Sequence, residues 1–218
     1  VLGLIHLFTI NSLSFLISMI MILLITSFPL VNIKKQNIST FINMKEGLSF
    51  IVQHNGLKLL LIITIINNLF IMGPAYIGLI IYVREILMGE MLVFILLEIS
   101  MGIGMILGSY LFSKIIKKVK LKYLFFIGIL IDGATFSLLY FIQNYIIAIF
   151  VLFFHGLGIP FIILSRTYYI QSSIDNNLRG MVFSAINMSV MGSTAISIAI
   201  VGVLLESISP DSLFLFIG

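Results

Sequence analysis

Two acidic residues stand where the surrounding sequence offers no water. Asp132 is the sole charged residue between Tyr123 and Ser165, and Glu98 is the sole one between Met91 and Ser113. A charged side chain at the centre of a membrane helix costs about 2.5–3.5 kcal/mol on insertion scales, so its presence asks for a reason. Such a carboxyl can take up and release a proton, or act as the counter-charge for a cationic substrate. Each acid also has a plainer reading. Glu98 reaches the outer interface or a water-filled vestibule, and Asp132 is held by a neighbour such as Thr135, one turn on. The adjacent amides of Asn67 and Asn68 suit either substrate binding or hydrogen bonds between helices. His155 reads as a neutral, hydrogen-bonded packing residue in preference to a proton carrier. Arg166 and Arg179 flank a polar stretch that also holds Gln171, and Arg179-Gly180 opens the next apolar run. Arginine near a helix start is the wrong charge for the helix dipole. A carboxylate or carbonyl at the cytoplasmic ends of neighbouring helices is therefore expected to hold it. Residues 166, 171, 179 and 180 are candidate residues of a cytoplasmic loop.

The elements that must position these groups follow from composition. Of 218 residues, 61% are hydrophobic and 9% charged, against about 45–50% and about 25% in soluble domains. That excludes an ordinary soluble enzyme, a nucleic-acid-binding module and a disordered chain. A membrane helix needs about 20 predominantly apolar residues. Stretches that long, free or nearly free of charge, predict six spans at roughly 3–31, 58–82, 91–113, 122–142, 145–166 and 181–205, with Gln143-Asn144 as the turn between the fourth and fifth. After Ser209-Pro210-Asp211 the chain turns apolar again, like a seventh span after one turn. Strands are the alternative for Ile- and Phe-rich runs, but these runs exceed strand length and lack the alternation of barrel strands. The expectation is an all-α polytopic membrane bundle that contacts the lipid bilayer and no nucleic acid. Cysteine is absent, and His6, His54 and His155 lie far apart. No metal site and no cofactor are expected. The clustered His, Asp or Ser of an intramembrane enzyme is missing as well, so the expectation is a protein that is not an enzyme.

Charge layout tests the topology separately, because basic residues favour cytoplasmic loops. Taken in order, the loops carry +3 (Lys34, Lys35, Lys45 and Lys58 against Glu46), −1 (Arg84, Glu85, Glu90), +5 (Lys114 to Lys122), zero, +1 (Arg166, Asp175, Arg179) and −2 (Glu206, Asp211). The signs alternate as six spans require, with +9 on the expected cytoplasmic side and −3 opposite. Residue 1 then lies outside, with no initiator Met and no basic signal region, as expected if an odd number of spans precedes it.

Between the spans, 32–57 is the longest polar stretch. Asn43 and Glu46 have capping-box spacing, Met44, Leu48, Ile51 and Val52 share a helical face, and Asn55-Gly56 is a plausible stop. This predicts a short amphipathic helix, either on the membrane surface or packed on protein. Pro74 and Pro160 fall inside the second and fifth spans and are expected to bend them. Gly102, Gly104 and Gly108 fall inside the third. Gly104 and Gly108 make a GxxxG step for close helix packing, and the GxG is no nucleotide loop, because no strand precedes it and no Gly-Lys-Ser/Thr follows.

Several segments in order carry a family resemblance. Asn11 to Ser18, Lys45 to Ile51, Gly102 to Ser109, and Gly156-Leu157-Gly158-Ile159-Pro160 followed by Gln171 and Arg179-Gly180-Met181-Val182-Phe183-Ser184 together resemble the major facilitator superfamily. Within it they are similar to the bacterial multidrug and macrolide efflux branch that also contains siderophore exporters. The order matches spans six to eleven of twelve, with a stub of the twelfth. Met181 stands where that family usually has a second Arg, no acid lies near Phe112, and Ala195 or its neighbours stand where span eleven often has Pro. The resemblance implies a division into 1–31 (end of the N-terminal half), 32–57 (cytoplasmic linker) and 58–218 (C-terminal half). It also implies a proton-driven exporter of a drug-like or other amphiphilic small molecule in a bacterial plasma membrane. Such an exporter works by alternating access with an N-terminal half, Asp132 or Glu98 would be its protonatable groups, and Arg166, Gln171, Arg179 and Gly180 would lie at its cytoplasmic gate or loop. The alternative is a structural or assembly membrane protein whose acids are paired internally.

Overall fold

Hydrocarbon offers no hydrogen bonds to a backbone, so long apolar runs must satisfy their peptide groups internally, as helices do. The computed structural model of the chain describes residues 4–24 and 40–218, with side chains described from 8 to 24 and from 45 onward. Every regular element among them is helical. Five helical segments are long and apolar enough to cross a membrane: Asn55–Glu85, Met91–Ile115, Leu121–Leu139, Tyr145–Ser173 and Asn176–Leu204. The protein is an all-α bundle of the polytopic membrane type.

The described residues fall into two units. The first contains α1 (Leu4–Leu23). Its Ser14 and Ser18 return their hydroxyls to the carbonyls of Asn11 and Ser14, so their polar groups need nothing from outside the helix. The remainder of the expected span 3–31 lies outside the described residues.

The second unit begins with α2 (Thr40–Gln53). Asn43 therefore lies inside the helix rather than capping it. Ile51 is wholly buried while Leu48 and Val52 are exposed. The protein-facing stripe is thus Gly47 and Ile51, and a Cβ on Gly47 would press on Met181. Of the two readings for this segment, packing on protein describes the Gly47–Ile51 side. Asn55-Gly56 does not end α2. The chain bends at His54, and these two residues open α3 (Asn55–Gly73).

Pro74 has no N–H, so the carbonyl of Phe70 loses its partner. The helix answers by widening to a π turn over Pro74–Gly78, where the N–H of Leu79 reaches the Pro74 carbonyl, and then continues as α4 (Leu79–Glu85). Just before the break a neighbour enters the ladder. On α8 (Asn176–Leu204), Ser197 Oγ accepts from the Gly73 N–H at 2.7 Å and donates to the Leu69 carbonyl at 2.7 Å. One hydroxyl thereby bridges a donor and an acceptor one turn apart on α3. Only glycine permits this approach, since a Cβ on Gly73 would strike the Ser197 carbonyl. Pro160 behaves differently. It lies inside α7 (Tyr145–Ser173), which remains helical through it.

α5 (Met91–Ile115) and α6 (Leu121–Leu139) both pack on α7, and α3 pairs with α8. Gly104 and Gly108 set the first contact. A Cβ at either would overlap the carbonyl of Phe153 or Leu157, and one at Gly156 would overlap that of Met101. Gly102 takes no part, because a Cβ there meets nothing within 4 Å. The packing expectation is corrected at that position, which faces away from α7. On α6, Gly128 meets Ile162 and Phe161 in the same way. The chain closes with α9 (Pro210–Ile217), two turns rather than the expected one. Its Phe214 is wholly buried against Tyr82 and Phe136. Tyr82 directs its hydroxyl to the carbonyls of Leu139, the last residue of α6, and of Ile142 in the turn that follows.

Two substitutions test these contacts. Gly104→Leu should destabilise the bundle by about 1–3 kcal/mol, as overpacking does, in unfolding measured in detergent, while Gly102→Leu should cost nothing by that route. Ser197→Ala leaves a buried N–H and carbonyl without their bridge and should cost about 1–3 kcal/mol.

Candidate functional site

Along α3 and again along α7, the residues between two buried apolar clusters line one cavity. One cluster holds Ile71, Leu79, Tyr82, Leu97, Leu152 and Phe214, the other Ile51, Leu57, Leu61, Ile170, Ile174 and Val182. The cavity has a volume of about 890 Å³ and lies between the α3–α8 pair and the α5–α6–α7 group. Most of its wall is apolar. Its polar groups are Asn67, Asn68, Glu98, Asp132, Thr194, His155 and Arg166. Tyr76 and Met191 on its rim are exposed, so it opens on one flank.

Asp132, 3% exposed, is the centre of the polar cluster. Its Oδ2 accepts from Asn67 Nδ2 at 3.2 Å, which joins α6 to α3. Its Oδ1 lies 3.1 Å from His155 Nδ1 on α7. Thr135 Oγ1 lies 2.7 Å from the Ile131 carbonyl, 3.0 Å from the Asp132 carbonyl and 3.0 Å from His155 Nδ1. A hydroxyl has one proton. If the nearer carbonyl takes it, Oγ1 accepts from the ring and the proton of a neutral imidazole sits on Nδ1. That N–H aims at Thr135, and Asp132 Oδ1, close but off the axis, has no aligned donor. Phe136 packs edge-on against the imidazole at 4.8 Å and holds the ring. Thr135 therefore positions His155, and it does not hold the Asp132 carboxylate as the plainer reading supposed.

Two proton arrangements suit the cluster. With Asp132 ionised, the Nδ1–H stays on Thr135 and Oδ1 lies 3.1 Å from Nδ1, off its axis. With Asp132 protonated on Oδ1, the carboxyl can donate to Nδ1 while the ring proton moves to Nε2. Among the described residues no Lys or Arg pairs with Asp132. Taking up or losing that proton therefore changes the buried charge by one unit, and burial makes such a change energetically large.

The other candidates divide. Glu98 is half-buried on the same cavity, and Asn68 Nδ2 turns inward to the Thr64 carbonyl of its own helix. Arg166 was expected at the end of the fifth span. That span runs on to Ser173, which puts Arg166 inside α7 and on the cavity wall, away from any loop. Arg179 does meet a carbonyl: its Nε donates to Ile174 at 2.9 Å and caps the end of α7. Gln171 and Gly180 are exposed, and nothing lies near Gly180. Among the described residues these four are thus spread from the cavity wall to the start of α8. Pro74 and Pro160 are both buried, and the π turn after Pro74 supplies Ala75 and Tyr76 to the cavity.

Reading the sequence undervalued His155, although a signal was present. Gln143 lies 11 residues after Asp132, and His155 lies 11 residues after Asn144. Two antiparallel helices joined by a tight turn at Gln143-Asn144 must bring equidistant residues to the same depth. Ser197 carried no comparable signal, because α3 and α8 are remote in sequence. No protein-family model, curated protein or solved structure matches the chain.

A double-mutant cycle measures the central contact. Asp132→Asn and His155→Ala, singly and together, should give a coupling energy of about 0.5–3 kcal/mol in detergent unfolding. Simple additivity would mean that the 3.1 Å approach carries no energy.

Proposed function

We propose that this chain is part of a proton-coupled exporter of amphiphilic, drug-like small molecules, related to the major facilitator superfamily and working by alternating access in a bacterial plasma membrane. The observation that supports it is the union of a proton-handling cluster, Asp132 with His155 and Asn67, and a mostly apolar cavity of about 890 Å³ open on one flank. A structural subunit has no need for a cavity beside its buried acid.

The proposed coupling runs through Asn67. Its amide donates to Oδ2 of Asp132 and so ties α3 to α6 across the cavity. A proton arriving on Oδ2 converts that acceptor into a donor and breaks the tie. A proton on Oδ1 leaves it intact. Proton position thus sets whether the α3–α8 pair is fastened to the α5–α6–α7 group. The π turn after Pro74 gives the α3 side a place to flex. One proton crossing 100 mV supplies about 2.3 kcal/mol, comparable to the net value of one or two such hydrogen bonds. The resemblance further implies a second six-span half facing the open flank, with protons and the substrate as the remaining partners. The competing reading, a structural or assembly protein, draws on the same fact that Asp132 has internal partners, and it predicts no efflux.

The full reading frame expressed in cells loaded with a lipophilic dye or a macrolide should expel it only under a proton gradient. Asp132→Asn should reduce the rate at least about tenfold, the loss of about 1.4 kcal/mol of driving interaction. Efflux indifferent to the gradient, or proton-dependent efflux that survives both Asp132→Asn and Glu98→Gln, overturns the reading.

A further inference from the structure

Arg166 is the charged group that proton coupling leaves without a task. It is half-buried on the cavity wall, inside α7, where an uncompensated cation is costly. Among the described residues its guanidinium forms no ion pair and no hydrogen bond.

The other ionisable groups of the cavity are too far along the bundle to serve it. His155 is 11 residues earlier on α7, about 16 Å of helix at about 1.5 Å per residue. Asp132, on α6, is engaged at that same level by His155 and Asn67. Glu98, on α5, lies farther still. α5 runs parallel to α7, with Gly104 against Phe153 and Gly108 against Leu157, so Glu98 falls beyond His155 on the side away from Arg166. The cavity is therefore polarised: an acid at one end, the proton cluster in the middle, and a guanidinium at the other end. Ile159, Ile162 and Ile163 form an apolar wall between the last two.

We propose that the Arg166 end of the cavity is a binding site for an anionic head group, a carboxylate or a phosphate, on an amphiphile whose apolar body lies along Ile159 and Ile163 toward Asp132. The guanidinium presents a planar fork of donors that matches both oxyanions. A bound anion offsets the buried positive charge, and the isoleucines take the tail out of water. The head group has two available sources, a soluble amphiphile or an anionic lipid entering through the open flank beside Tyr76 and Met191. The assignment rests on reading the cavity as a binding site, as the proposed function does, and it narrows the ligand to an anion.

The test is equilibrium binding to the full chain in non-ionic maltoside micelles, with three probes that differ only at the head: 11-(dansylamino)undecanoic acid, its methyl ester and the corresponding terminal amine. The acid should bind about tenfold tighter than the ester, the scale of one charge-assisted hydrogen bond. Arg166→Gln should erase that preference, Arg166→Lys should keep part of it, and Asp132→Asn should leave it in place. Added phosphatidylglycerol that displaces the acid identifies lipid as the source, and failure to displace it identifies a soluble ligand; both keep the anion site. Equal binding of acid and ester, tightest binding by the amine, a preference that survives Arg166→Gln, or no binding of any probe overturns it. Loss of gradient-driven efflux with the acid preference intact sinks the transporter reading alone. Efflux with no acid preference sinks the anion site alone.

Discussion

Inside a bilayer a backbone or side-chain polar group has no solvent partner, and the architecture of this protein is organised by where such groups find one. Helix formation settles nearly all of the backbone. The residue of the problem is concentrated at a few places, and each is met by a side chain from a different helix. Ser197 bridges the Gly73 N–H and the Leu69 carbonyl next to Pro74. Tyr82 meets the last carbonyl of α6 and one in the turn that follows. Arg179 caps the end of α7 through Ile174. The same demand brings Asn67, Thr135 and His155 around Asp132.

These solutions also divide the bundle mechanically. Glycine lets α5 and α7 approach until their backbones touch at Gly104, Gly108 and Gly156, and such a contact leaves no slack. The α3–α8 pair approaches as closely at Gly73, but directly beyond it α3 widens into a π turn, which makes that helix the more adjustable element. π turns of this kind recur at functional positions in helices. The cavity lies where the stiff group and the adjustable pair face each other, with Asn67 and Asp132 as a polar link across it.

Charge within that cavity is sparse and separated by depth. Glu98, the Asp132–His155 cluster and Arg166 follow one another along the bundle, with apolar wall between them. In a low-dielectric surrounding charges are poorly screened, so their spacing along the bundle is what limits how strongly they act on one another. Asp132 meets His155 and Asn67 at the middle level, and Arg166, about three turns farther along α7, forms no ion pair with it.

Much of this was legible in the residues themselves. Long apolar runs and alternating loop charge identify helices that suit a bilayer, because length and hydropathy are local properties that the bilayer reads directly. The isolation of Asp132 and Glu98 in apolar sequence marks them for the same reason. The 11-residue spacing on either side of Gln143-Asn144 even encodes the pairing with His155, since a tight turn equates sequence distance with depth. Boundaries were less readable. Arg166 looked like the end of a span, because a charge is the ordinary signal of one, yet α7 continues to Ser173. Helix ends are decided by what a terminal turn packs against, and here Ile170 and Ile174 pack on Ile51, Leu57 and Val182. The same holds for Gly102, which shares its composition with Gly104 but faces away from α7, and for Ser197, whose partner Gly73 is 124 residues distant in the chain. Sequence alone determined which segments are helices suited to hydrocarbon and which polar groups would need partners there. Which partners they found depended on helix rotation and contact between segments remote in the chain, and those are set only when the whole bundle packs.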